Sequence, residues 1–332
     1  MRMSQLLLGL DFGGTKLTAG LALVGEGELL ARDQCPTPAG AGPRRVFEAI
    51  VRLARSLGGE LRPAGVGISF GGPVDPARGV VRICHHLPGW EEVPLPAWAQ
   101  EEFGVPALMD NDANAAALGE HRFGAGRGCD HLLHVNVGTG IGGGIVLHGQ
   151  VYQGATGMAG EIGHMVVLPG GPVCTCGRHG CLEALASGPA IARDARKRLA
   201  REPEHGLKLL SLAGGNPEQI TAQMVSEAAA QSDELAQDAL DQAAKMLGLG
   251  IANAINLINP QRVTVGGGVV KIGPAWMEKV RAAARANAMP DCPVEIVVAA
   301  LGDDSPLWGA IALAETASVL HTHSILHIDW TK

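Results

Sequence analysis

The sequence predicts an α/β protein of two similar lobes with a cleft between them. Three observations predict it. Apolar strand-like runs alternate with segments of helical period along the chain. The opening "LLLGLDFGGTKLTAGLAL" is echoed by "HLLHVNVGTGIGGGIVLHG", so that each half starts with a strand, a Gly/Thr turn and a second strand. This is a repeat of architecture, not of sequence. The 332 residues fit about two domains, with no long linker between them.

The elements follow in order. "LLLGLDFGGTKLTAGLALVGEGELLARD" reads as three strands joined by glycine-rich turns. Val46, Ile50, Leu53 and Leu57 recur at helical spacing, which predicts a helix over 44–57. "AGVGISFGGPVD" is an apolar strand ending in a Gly-Pro turn, and "VPALMDNDANAAALGEHRFG" is a short strand running into an Ala-rich helix. After the second hairpin come helical stretches over 189–201 and 220–256, strands in "QRVTVGGGVV" and "VEIVVAALG", and a last helix in "SPLWGAIALAETASVL". Pro306 falls in that helix's first turn, where proline is tolerated.

Composition narrows the function classes. Hydrophobic residues make up 46% and charged residues 18%, enough for a large core. The 47 glycines are clustered without a period, which points to tight turns and close backbone approach. One Tyr and five Phe leave the core to Ala, Leu, Val and Ile. A net charge of -7 and the lack of any basic run argue against nucleic acid as partner. The run "LLLGL" is too short for a signal or a membrane span, so a soluble cytoplasmic protein is expected. In that reducing compartment seven cysteines do not read as a disulfide framework. Cys35, Cys84, Cys129 and Cys292 are scattered and read as small core hydrophobes.

Several motifs carry chemistry. "DFGGTK" (11–16) lets the backbone approach an anion: Gly13 and Gly14 shape the turn, Thr15 and Lys16 offer donors, and Asp11 is of a type to hold Mg²⁺ through water. "GTG" at Gly138, Thr139 and Gly140 is the matching turn of the second half, and two such hairpins suit a triphosphate. Gly266 and Gly267, in "GGG" at a strand end, offer bare backbone to a flat adenine ring. In "MDNDAN", Asp112 is a candidate to accept a substrate hydroxyl's proton during phosphoryl transfer. Asp110, Asn111 and Asp112 are equally of the type that merely caps a helix. "CTCGRHGC" places Cys174, Cys176 and Cys181 in a C-x-C-x4-C pattern, ten residues after His164. Three thiolates and an imidazole are the donor set of a closed, structural Zn²⁺ site. His321, His323 and His327 read as a solvated tail.

Taken in order, "LDFGGTK", "GGPVD", "LPGW", "NDANAAALGE", "GTGIGGG", "AGEIGH", "CTCGRHGCLEALASG" and "INPQRVTVGGG" make the chain resemble the ROK family of sugar kinases and related repressors over nearly its whole length. The resemblance implies a two-lobed, actin-like, hexokinase-type ATPase fold with the active site in the interlobe cleft. It implies transfer of a phosphoryl group from ATP to a hexose hydroxyl, with Asp112 as general base. Gly72, Asn111, Glu161, His164 and Glu183 match sugar contacts, and His164 matches a Zn²⁺ ligand as well. Residues 1–115, completed by helix 306–320, are then the N-terminal lobe, and 116–305 the C-terminal lobe with the zinc loop and adenosine site. The family's "PGPVD" and "NLPGW" stand here as "GGPVD" and "HHLPGW", so that Gly71 replaces a proline and His86 replaces a sugar-binding Asn. The resemblance leads to a glucokinase, with an N-acetylmannosamine or N-acetylglucosamine kinase next, then a fructokinase, and a non-catalytic sensor or repressor as the reading of another class. ATP, Mg²⁺ and structural Zn²⁺ are the expected cofactors, and a homo-oligomer the expected state.

Overall fold

The computed structural model describes residues 5–58, 61–82 and 89–326, with side chains through 320. The chain divides into two compact units. One comprises residues 1–129, 144–159 and 299–332, the other 130–143 and 160–298.

The first unit is built on a five-stranded sheet. Its strands are β1 (Leu6–Phe12), β2 (Lys16–Leu23), β3 (Leu29–Pro36), β4 (Gly65–Phe70) and, after the two-residue β5 (Val74–Asp75) and β6 (Val80–Val81), β7 (Ala107–Asn111). The order is β3-β2-β1-β4-β7. The first three strands form an antiparallel meander, while β1, β4 and β7 are parallel. The three predicted strands and the echo in the second half are therefore real. The second sheet runs β10 (Gln150–Val151), β9 (Ile141–Leu147), β8 (Leu132–Val137), β11 (Arg262–Gly266), β12 (Glu295–Val298), again a run of sequential strands followed by parallel ones.

Helix α1 (Pro43–Ser56) starts on a proline at its first position and buries Val46, Phe47, Ile50, Val51, Leu53 and Ala54, which includes the predicted Val46, Ile50 and Leu53, while Leu57 is half-buried just past the helix end. Those side chains join the strands' inward faces and Trp90 in one core. Two further helices, α2 (Leu95–Phe103) and α3 (Asp112–Phe123), flank β7. The helices of the second unit are α4 (Glu183–Ala186), α5 (Gly188–Leu199), α6 (Leu207–Leu212), α7 (Ala222–Ala230), α8 (Glu234–Ile258) and α9 (Pro274–Asn287), of which α4, α5, α7 and α9 pack on α8. The helical stretch expected over 220–256 consists of two helices, α7 and α8. Ser232 adopts a left-handed φ of 63°, and Asp233 opens a new helix by accepting from Ala236 N at 2.9 Å. The final helix, α10 (Ser305–Leu326), runs past the expected end at 320, because no Gly or Pro interrupts 321–326.

The glycines explain how α10 docks. A Cβ on Gly67 of β4 would stand 1.8 Å from Ala310 O, and one on Gly309 of α10 would stand 1.8 Å from Ala115 O of α3. Backbone meets backbone at both places, which only glycine permits. Buried Glu120 of α3 secures the same corner, accepting from Ala125 N, Ala300 N, Leu301 N and Ser305 Oγ at 2.8–3.0 Å. Of the cysteines read as core, Cys129 is buried, Cys35 and Cys292 are half-buried, and Cys84 lies outside the described residues.

Candidate active site

In the first unit, parallel pairing sets the site. Register places Asp11 opposite Ser69 and Ser69 opposite Asp110, and one step on Phe12, Phe70 and Asn111 stand in line. The turns that follow, Gly13–Thr15, Gly71–Gly72 and the start of α3, therefore open at one edge, at the carboxyl ends of the strands where open α/β sheets bind ligands. Gly71 N donates to Phe12 O at 2.9 Å, and a Cβ on Gly71 would lie 3.8 Å from Asp112 Oδ2. Gly72 N donates to Phe70 O at 2.9 Å. A proline at position 71 has no N–H to give, so the family's more usual residue would forfeit that bond.

The first hairpin turn is braced from outside. Gly13 N donates to Lys16 O, Thr37 N donates to Thr15 O, and Thr37 Oγ1 donates to Gly13 O at 2.7 Å. Asp11, only 7% exposed, accepts from Ser69 Oγ at 2.8 Å. Burial pushes its carboxyl up to about 7, with the Asp112 carboxylate adding to the rise and Ser69 and Lys16 opposing it. A buried carboxyl of this kind, short of positive charge, fits a place near a divalent cation.

The three cap-type residues separate into three roles. Asn111 is the helix cap, its Oδ1 accepting from Asn114 N at 2.7 Å. Asp110 is buried and takes three donors: Asn111 N, Asn114 Nδ2 and Gln153 Nε2. Burial raises its carboxyl pKa, while those bonds lower it. Asp112 is exposed at the first helical position.

The second unit carries the rest. The Gly138–Gly140 turn is closed by Gly138 N donating to Gly140 O at 2.9 Å, and Gly188 N at the start of α5 donates to Gly138 O at 2.9 Å. A cavity of ≈ 770 Å³ opens beside this turn. Gly138, Thr139, Gly188, Pro189 and Gly268 line one part of it, and Gln223 and Glu227 of α7 line another. Gly268, rather than Gly266 or Gly267, lines that space. Gly266 ends β11, and Gly267 has φ 89° and would put a Cβ 2.4 Å from Val137 O. The α7 wall has no signal in the sequence, since Gln223 and Glu227 look like any exposed helix surface there.

His164, Cys174, Cys176 and Cys181 converge, with one donor atom from each lying within 4.8 Å of all the others. Cys174 Sγ is 3.6 Å from His164 Nδ1, and Cys176 Sγ is 3.7 Å from Cys181 Sγ. A tetrahedral ion with Zn–S arms of about 2.3 Å needs edges of about 3.7 Å, so the four residues fit Zn²⁺. Burial pushes the Cys181 thiol up to about 12, whereas the Arg178 backbone N–H lowers exposed Cys176. Ionising the buried Cys181 thiol is costly, and a bound cation would supply the compensating charge. The other ring nitrogen of His164, Nε2, lies 3.9 Å from Glu161 Oε2. Glu183 sits at the opposite end of the loop, and both of its oxygens are engaged within the unit. His86 lies outside the described residues.

The chain matches the ROK family over residues 7–317 and belongs to it. A glucokinase of Thermotoga maritima is 37% identical over 313 residues, 92% of this chain and 96% of that protein. An N-acetylmannosamine kinase of Escherichia coli is 34% identical over 310 residues, 93% of this chain and 98% of that one. The crystal structure of a ROK family glucokinase from Streptomyces griseus, in complex with glucose and AMPPNP, is 36% identical with a TM-score of 0.79, covering 94% of this chain and 99% of that chain. The fold is accordingly the actin-like fold of the sugar kinases. Among the described residues no helix is long and apolar enough to cross a membrane.

Proposed function

We propose that the chain, a sugar kinase of the ROK family, transfers the γ-phosphoryl group of ATP to the 6-hydroxyl of glucose, with Asp112 as general base. The division of labour at the β7–α3 junction carries this reading. Asn111 does the capping and Asp110 is sequestered by three donors, whereas Asp112 is exposed at the first position of α3 and stands where the family resemblance puts the general base. Phosphoryl transfer asks little else of a side chain than to orient and deprotonate the attacking hydroxyl. The glucokinase relatives support glucose as acceptor.

In the second unit, the Gly138–Gly140 turn offers backbone N–H groups to phosphate and the cavity by Gly138 and Gly268 receives the adenosine; in the first unit, the Gly13–Thr15 turn is of the same phosphate-binding type. Lys16 stands beside the first turn with a positive charge, and buried Asp11 is the residue to hold Mg²⁺, which neutralises phosphate charge when bound. Zn²⁺ would be held by His164, Cys174, Cys176 and Cys181, where it supplies rigidity, not a reaction step. Glu161, His164 and Glu183 of the second unit, and Gly72 and Asn111 of the first, are the residues that the family resemblance assigns to the sugar. Such thiols stay metal-loaded and reduced in a cytoplasm. An N-acetylhexosamine acceptor is the second reading, favoured by the 34% identity to an N-acetylmannosamine kinase.

Asp112→Asn is the test. It keeps size and hydrogen bonding but cannot take a proton. Sugar-dependent ADP formation should fall by about 10³-fold or more while thermal stability and AMPPNP binding hold. Near-normal turnover removes Asp112 from the base role. Glucose, N-acetylmannosamine, N-acetylglucosamine and fructose in the same assay identify the acceptor.

A further inference from the structure

Glu183 joins two parts of the second unit that are separate in the sequence. Its Oε1 accepts from Thr175 Oγ1 at 2.8 Å and lies 3.6 Å from Cys174 Sγ, within the metal loop. Its Oε2 accepts from the backbone N–H of Ile141 at 3.1 Å. Ile141 is the first residue of β9, directly after the Gly138–Gly140 turn. Gly140 makes the approach feasible, because a Cβ there would stand 2.7 Å from Oε2. Thr175 lies between Cys174 and Cys176, so anchoring those two residues fixes where its hydroxyl points. A carboxylate has about four lone-pair sites, and these bonds leave it room to accept from a sugar hydroxyl as well.

We propose that Glu183 is a positioning residue for the nucleotide turn, tying Gly138–Gly140 to the metal loop so that the state of the loop sets nucleotide affinity even without sugar. The inference rests on the reading of that turn as a phosphate hairpin. A turn of two glycines and a threonine has wide backbone freedom, and a ligand that must order it binds more weakly. Backbone bonds already hold the turn at Gly138, and the bond from Ile141 N to an anchored carboxylate removes freedom at its other end before the nucleotide arrives.

The test is calorimetric titration of Mg-AMPPNP into Thr175→Val and Thr175→Ser, without sugar, beside measurement of bound zinc. Thr175→Val keeps the shape and the metal but loses the donor to Glu183, and should bind AMPPNP about five- to tenfold more weakly. Thr175→Ser restores the donor and should bind like the wild type, which a purely steric role of Thr175 does not predict. A metal-loaded Thr175→Val with wild-type AMPPNP affinity overturns the proposal. Should Thr175→Val misfold or lose metal, the wild type carries the test through the Ile141 amide in ¹⁵N spectra. Chelating the zinc should shift that amide upfield and speed its exchange, and an unmoved Ile141 amide overturns the link. A wild type that binds no AMPPNP at all overturns the nucleotide reading instead, and the Ile141 amide still decides whether Glu183 ties loop to turn.

Discussion

Gln153 holds Asp110 in place: its Nε2 donates to Asp110 Oδ2 at 2.7 Å across 43 residues of sequence. The other oxygen of Asp110 is taken by Asn111 N and Asn114 Nδ2. The junction that presents Asp112 is therefore fixed by a buried carboxylate whose second oxygen depends on a residue from another loop.

Removing that donor should cost stability in a pH-dependent way. Burial raises the folded pKa of Asp110 above its unfolded value. Such a group favours the folded state when protonated, and stability falls as pH rises from the unfolded pKa through the folded one. Gln153→Ala withdraws one bond to the ionised form and should destabilise by about 1.5–3 kcal/mol at pH 8. The deficit should shrink towards pH 4–5, where more of Asp110 is protonated. Thermal melts of both proteins across that range check it, and an equal deficit at both ends assigns Gln153 a packing role only.

Asp11 gives a stronger case of the same sign. Its carboxyl moves from 3.8 up to about 7, chiefly by burial. Between those values the folded protein binds more protons than the unfolded one, so stability declines as pH rises towards 7 and the loss is complete above it. The full effect is on the order of 4 kcal/mol at most. Asp11→Asn, without Mg²⁺ or nucleotide, should therefore melt higher than the wild type at pH 8.5 and about equally at pH 4. The same variant should lose ATP-dependent turnover. If the melting points track each other over the whole range, Asp11 is not ionised at a cost in the folded protein.

The parts of this fold legible in the sequence are those whose cause is local. The hairpins announce themselves by apolar runs around glycine turns, and α1 by its buried stripe of Val46, Ile50 and Leu53. The His/Cys cluster is legible because the cysteines crowd 174–181. The choice among Asp110, Asn111 and Asp112 is not legible from the residues alone, since all three types cap helices. What sets Asn111 and Asp110 apart is their bonds to Asn114 and Gln153, and only the first of these is nearby. Glu120 reads as one more polar residue of an Ala-rich helix, yet it is buried under Ala300 and Leu301, some 180 residues away. The α7 wall of the cavity is likewise set by packing on α8 and α5, which no short motif encodes.

Glycines of two kinds should part under substitution. Gly67→Ala places a Cβ 1.8 Å from Ala310 O, a backbone atom that cannot swing aside, so β4 and α10 must separate. The expected cost is several kcal/mol, enough to prevent soluble expression of a marginally stable unit. A Cβ on Gly14 would meet nothing within 4 Å, and the residue has no left-handed φ. Gly14→Ala should melt within about 1 kcal/mol of the wild type, but should raise KM for ATP if bare backbone is needed against a phosphate. Parallel expression, melting and kinetics separate the two cases. Loss of folding in Gly14→Ala, or a normal melt in Gly67→Ala, contradicts these assignments.

The thiols offer the most direct reading of the metal site. Cys176 is exposed, and its pKa is lowered by the Arg178 backbone N–H, while Cys181 is buried with its thiol pushed up to about 12. The thiolate is the form that alkylating reagents attack. With metal bound, all three cysteines of the loop should resist iodoacetamide, and metal analysis should find about one zinc per chain. After chelation Cys176 should react first and Cys181 last, as followed by mass spectrometry of peptides from 174–181. Zinc should also leave more readily as pH falls, because protons compete for the same sulfurs. Alkylation at equal rates with and without chelator means that these thiols hold no ion. The order Cys181 before Cys176 contradicts the environments assigned to them.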